Sequence, residues 1–135
     1  MAVADMLQDF SSTAAHGRSP LQIVVMLYDN ALASMKASKA AIAAGDSHRR
    51  DFQLNRSEQI VTALMHCLDS RSGEMAADLK TLYCYVLNEL SEAHQDTTTA
   101  RIDRCESVLK DLRNVWLELE AAITPPSGFG RSIAA

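Results

Sequence analysis

The stretch SPLQIVVMLYDNALASMKASKAAIAAG, residues 19–45, decides the fold class. Ser19 can cap a helix start, and Pro20 suits the first helical position, where its missing N–H forfeits no hydrogen bond. From there Leu21, Val24, Tyr28, Ala31, Leu32, Met35 and Ile42 recur at three- and four-residue steps as one apolar stripe. Gly45 readily takes the left-handed conformation that ends a helix.

Three more stripes with the same period follow. Asp46-Ser47 can open a second helix lined by Leu54, Val61, Leu64 and Leu68, with Ile60, Met65 and Cys67 beside them. After a connection at Asp69–Gly73 come Met75, Leu79, Leu82, Tyr83, Val86, Leu90 and Ala93. Asp96–Thr99 supply a turn and a cap, and Ile102, Cys105, Leu109, Leu112, Trp116 and Leu119 form the last stripe, supported by Val108 and Val115. Pro125-Pro126 stop it. Short loops keep sequential helices antiparallel, so the pattern predicts an all-α fold, an antiparallel four-helix bundle. Leu82 and Leu112 are expected near its centre. The expected organisation is a mobile N-terminal arm over 1–18, with an apolar island at Met6, Leu7 and Phe10, a bundle over 19–123, and a disordered tail over 124–135.

Composition agrees and narrows the function. Of 135 residues, 47% are apolar and only 5% aromatic, with few of the β-branched and aromatic clusters that strands need. The net charge is −4, and the 13 Lys and Arg are dispersed apart from Arg49-Arg50. Nucleic-acid binders need a basic stripe for phosphate, so neither nucleic acid nor an anionic membrane is an expected partner. The N-terminus has no basic start or long apolar run, and Leu21–Leu27 is too short to span a bilayer, so no leader and no membrane insertion are expected. Cys67, Cys84 and Cys105 are odd in number, widely spaced and without a CxxC pair, which fits free, mostly buried thiols in a reducing cytosol.

Reactive constellations are missing from the sequence. None of His16, His48, His66 or His94 has Glu three positions before it, as di-metal bundles require. Glu89 and Glu92 fall off the centre of their stripe. His66, Cys67, Cys84, His94 and Cys105 match no zinc spacing, and nothing orients a Cys–His pair as nucleophile and base. There is no Walker loop, Rossmann fingerprint or GxSxG elbow. The expectation is a non-enzyme with no catalytic residue, metal or cofactor.

The first helix carries more apolar surface than one stripe needs. Ile23, Met26, Ala33, Ala37 and Ala41 gather on a second side, broken by Asn30, and leave only a narrow polar strip with Gln22, Asp29 and Lys36. A helix apolar nearly all round is buried on more than one face. Either it packs centrally among its neighbours, or Ile23, Met26 and the Ala surface form a groove for a partner helix, for which adaptable Met is well suited. The island at Met6, Leu7 and Phe10 is a candidate cover for that groove.

The order of motifs adds a resemblance. Ser19-Pro-Leu-Gln-Ile-Val-Val-Met-Leu-Tyr-Asp29 resembles the opening helix of the flagellar secretion chaperone FliS family. Gln59-Ile-Val-Thr-Ala-Leu64 with Leu68-Asp69, Leu79-Lys-Thr-Leu-Tyr-Cys-Tyr85, and Leu112-Arg-Asn-Val-Trp116 are similar to its later helices, in order and with fitting separations over roughly residues 19–120. The arm departs from the family in offering Phe10 and no Tyr, and Asn30 stands where Gly is common. The resemblance implies a cytosolic bundle that holds the C-terminal segment of flagellin, prevents its premature polymerisation and delivers it to an export gate component of the flagellar type III secretion system. Client contact is expected at Ile23, Met26, Ala33 and Ala37, with Tyr28 and Tyr85 as further candidates; for Tyr28 a core role with a satisfied hydroxyl competes. The alternative function is a helical scaffold or regulatory domain that forms a homodimer through the same face.

Overall fold

The computed structural model describes residues 20–68 and 73–123. It consists of four helices: α1 (Pro20–Ala43), α2 (Ser47–His66), α3 (Glu74–Ala93) and α4 (Ala100–Ile123). Ser19, the arm over 1–18, most of the Asp69–Gly73 connection and the tail over 124–135 lie outside the described residues.

The turn between α1 and α2 is as short as the sequence suggests. Gly45 has φ +71°, and its N–H bonds Ile42 O at 3.1 Å while Asp46 N–H reaches Ala41 O at 2.9 Å. This six-to-one closure satisfies the carbonyls that α1 would otherwise leave bare. Asp46 then caps α2 by accepting from Arg49 N–H at 3.0 Å. At the start of α4, Thr99 O accepts from Asp103 N–H at 2.8 Å, and the Thr99 hydroxyl donates to the Asp103 carboxylate.

Each helix packs on two others, α1 on α2 and α4, and α3 on α2 and α4, which closes a four-membered ring. Ion pairs fix the antiparallel sense. Lys39, late in α1, meets Asp103 and Glu106, early in α4; Asp29, early in α1, meets Arg113, late in α4. Arg101 and Arg104 of α4 reach back to Glu89 of α3. Contact is most extensive between α1 and α2, where Ala31, Ser34, Ser38, Ala41 and Ser57 are all buried. Small side chains allow close approach, and the buried hydroxyls of Ser38 and Ser57 donate to carbonyls one turn back, so neither is left unsatisfied.

The core is continuous. Leu27, Tyr28 and Met35 meet Leu54, Ile60, Val61 and Leu64, with Tyr83, Val86 and Leu90 and with Ile102, Cys105 and Leu109. Two expectations need correction. Leu82 is 37% exposed, because the inner face of α3 centres on Tyr83, Val86 and Leu90 and Leu82 lies about 100° round from Tyr83; Leu112 packs on the core without being fully buried. Of the thiols only Cys105 is buried, and Cys67 and Cys84 are exposed. Burial pushes the Cys105 thiol up to about 12, so it stays protonated.

His94 closes the far end of the α2–α3 contact. Its Nδ1 lies 2.8 Å from Asp51 and its Nε2 2.7 Å from Glu58. Carboxylates only accept, so both bonds require both ring nitrogens to carry protons. Burial pushes the imidazole pKa down, but the hydrogen bonds to Glu58 and Asp51 outweigh it and hold it above the ordinary 6.5.

Two outcomes follow for unfolding in urea. Leu90→Ala should cost about 2–5 kcal/mol, as core truncations do, whereas Leu82→Ala should cost about 1 kcal/mol or less. Because the folded-state pKa of His94 is raised, its contribution is complete below the unfolded-state pKa and fades as pH rises through the folded one. Stability of the parent chain should therefore fall from about pH 6.5 upward, and His94→Gln should remove that part of the slope.

Candidate functional site

Of the six large apolar side chains exposed among the described residues, all but Phe52 fall along one seam. Glu89 identifies the flank of α3 that faces α4, since it carries both ion pairs to Arg101 and Arg104. Three- and four-residue steps back along that flank lead to Tyr85, Leu82, Leu79 and Met75. The same steps forward from Arg104 on α4 lead to Val108, Leu112, Val115 and Leu119. Met75 is 70%, Val115 54%, Tyr85 40% and Leu119 38% exposed. The two rows run antiparallel, so the seam is tied by charge at the α3 C-terminal end and is open and apolar toward the α3 start and α4 end.

Charges border the open part. Glu74 and Asp78 on α3, with Asp111 and Glu118 on α4, are exposed and make no ion pair among the described residues. Each carboxylate of α4 stands three or four positions from Val115, and Asp78 does so from both Met75 and Leu82. The result is an exposed apolar strip with an acidic border. It fits one face of an amphipathic helix with apolar anchors at i, i+3, i+4 and i+7 and basic groups beside them.

The residues singled out on the sequence divide between two faces. Ile23, Met26 and Ala37 lie half-buried on one flank of α1 and Ala33 is exposed there. Asn30, which interrupts them, turns its amide back onto Met26 O at 2.8 Å, so its polarity is partly spent locally. Asp29 and Lys39 point to α4 from the other edge of α1, which puts the Met26 flank on the α2 side. Tyr85 belongs to the α3–α4 seam, diagonally across the bundle.

Tyr28 belongs to neither face. It is 0% exposed, its hydroxyl bonds that of Tyr83, and the indole N–H of Trp116 donates to it at 2.9 Å. Burial raises the pKa of both phenols, so both are neutral hydrogen-bonding groups, and α1, α3 and α4 are joined through them. A docked segment cannot reach Tyr28 while the bundle is closed.

Periodicity alone does not mark Met75, Leu82, Val115 and Leu119 as surface residues, because they share a period with the core. The visible signal was stripe width: Tyr85 and Val86 in α3, and Val115 and Trp116 in α4, are adjacent apolar pairs wider than one inner face. Among the described residues, no group of three or more His, Cys, Asp or Glu side chains is arranged to hold a metal, and no helix is long and apolar enough to cross a membrane.

A sequence model of the family described as "Flagellar protein FliS" matches residues 4–123. The chain belongs to the FliS family. Among curated FliS proteins, each named "Flagellar secretion chaperone FliS", that of Campylobacter jejuni is 31% identical over 111 residues, spanning 82% of this chain and 87% of its own. That of Salmonella typhimurium is 26% identical over 122 residues, 89% of this chain and 87% of its own. That of Bacillus subtilis is 23% identical over 116 residues, 86% of each. FliS proteins are flagellar secretion chaperones.

Tyr28→Phe tests the core assignment. It removes the acceptor of the Trp116 N–H and one partner of the buried Tyr83 hydroxyl, at a cost of about 1–3 kcal/mol. Urea unfolding should register that loss, while helical content measured well below the unfolding transition should be unchanged.

Proposed function

We propose that this chain is a cytosolic, non-enzymatic chaperone that holds the C-terminal segment of flagellin until export. The observation that carries the proposal is the row of exposed apolar side chains along the α3–α4 seam, in a member of a family of flagellar secretion chaperones. A flagellin segment that pairs through apolar helix faces in the filament would offer the same faces to this strip. Its burial there blocks self-association, and the energy comes from apolar contact with no bond chemistry. A segment that folds on binding loses conformational entropy, so it needs a contact on the order of 1,000–3,000 Å². The flank at Ile23, Met26, Ala33 and Ala37 is a second surface that the segment would follow around α2. Delivery to an export gate component belongs to the same reading.

The exposed strip also favours a second reading, a bundle that pairs with another copy of itself. The two separate in one set of measurements. The purified chain should bind intact flagellin and fail to bind flagellin lacking its C-terminal segment. Val115→Asp should weaken binding by about tenfold or more, roughly 1.4 kcal/mol, with helical content intact, and Met26→Glu should weaken it less because that flank is partly covered. Equal binding of both flagellins would sink the proposal. Concentration-dependent dimers that flagellin does not dissociate would favour the second reading.

A further inference from the structure

The outer face of α2 carries a second, chemically different surface. Phe52 is 64% exposed. It stands at a shallow depression of about 450 Å³, lined among the described residues by Asp46, His48, Arg49 and Gln53 as well. His48, Arg49 and Arg56 stand four before, three before and four after Phe52, so all share its face of the helix. Arg49 and Arg56 make no ion pair among the described residues, whereas Arg50, Arg101, Arg104 and Arg113 are each paired with a carboxylate. The one carboxylate at the depression, Asp46, is turned to the Arg49 backbone N–H as the cap of α2. An exposed ring is thus flanked by two uncompensated guanidiniums, on a chain whose net charge is −4.

We propose that this face of α2 docks an acidic protein segment that bears one large apolar side chain, distinct from the client of the α3–α4 seam. The apolar group packs on the Phe52 ring in the depression, and carboxylates on either side pair with Arg49 and Arg56. Charge complementarity selects the occupant. Two guanidiniums are too few for the phosphate stripe of a nucleic acid, and a single exposed ring lacks the apolar companions of a membrane-binding helix. The same acidic segment is repelled from the seam by Glu74, Asp78, Asp111 and Glu118, so the two surfaces sort ligands by opposite charge. They also lie apart: Phe52 is near the α1–α2 turn, and the open part of the seam is at the opposite end of the antiparallel bundle. A client and an acidic partner can therefore be held together. The proposal does not depend on the identity of the client.

The test titrates the isotope-labelled full chain with a synthetic capped peptide, Glu-Asp-Leu-Phe-Glu-Glu, and follows backbone amide shifts. The expected result is saturable shifts centred on His48–Arg56, weakening with added salt. Phe52→Ser and, separately, the double variant Arg49→Glu with Arg56→Glu should each raise Kd about tenfold or more. Phe52 is exposed, so its replacement should leave the circular dichroism unchanged; if it does not, the double charge variant decides alone. No saturable shift up to about millimolar peptide overturns the proposal, as do shifts centred on the α3–α4 seam or equal binding of a peptide with Lys in place of the acids. Phe52-dependent binding to anionic vesicles, or Phe52-dependent self-association, in the absence of any response to the peptide, also overturns it.

Discussion

Two buried phenols and a half-buried indole meet in the core of an apolar bundle, and their polar atoms turn to one another. Tyr28, Tyr83 and Trp116 come from α1, α3 and α4 and satisfy one another. A one-turn slip of any of these helices would bury an unpaired donor or acceptor, which costs more than the bond itself contributes. Apolar packing among Leu and Met residues tolerates such slips far better. The polar triad therefore sets the register in which every other contact forms, including the diagonal between α1 and α3, which otherwise do not pack directly.

With register fixed, the four interfaces differ in how tightly they close. Small residues let α1 and α2 approach along their length. Lys39 and Asp29 hold α1 to α4 near both ends. The α3–α4 interface is held by Glu89 at one end, and by the buried Cys105, whose Sγ lies 3.7 Å from Val86 O. Toward the other end Leu82, Val115 and Leu119 are left exposed. That uneven coverage, rather than an unusual residue type, leaves the apolar strip exposed.

Much of this was legible beforehand. Gly45 and Asp46 marked the first turn, and Leu54, Val61, Leu64 and Leu68 are all buried as their spacing implied. Stripe positions at the α3–α4 seam were misread for a physical reason. A helical period says which residues share a face, but not whether the neighbouring helix comes close enough to cover it. Leu82 and Val115 share that ambiguity. Phe52 is a lone apolar residue on a polar face and gives no periodic signal at all. Cys84 follows a core tyrosine in sequence yet points elsewhere, since adjacent helical residues diverge by about 100°.

The junction at Gly45-Asp46 has a consequence for how this scaffold can be altered. Asp46 supplies the last bond that finishes one helix and the first side-chain bond that begins the next, so no spare residue separates the two tasks. Lengthening the junction would strip the cap from one helix or the stop from the other. Fused domains, affinity tags and permuted chain ends would have to be carried elsewhere, and homologous sequences should vary least in length at this point.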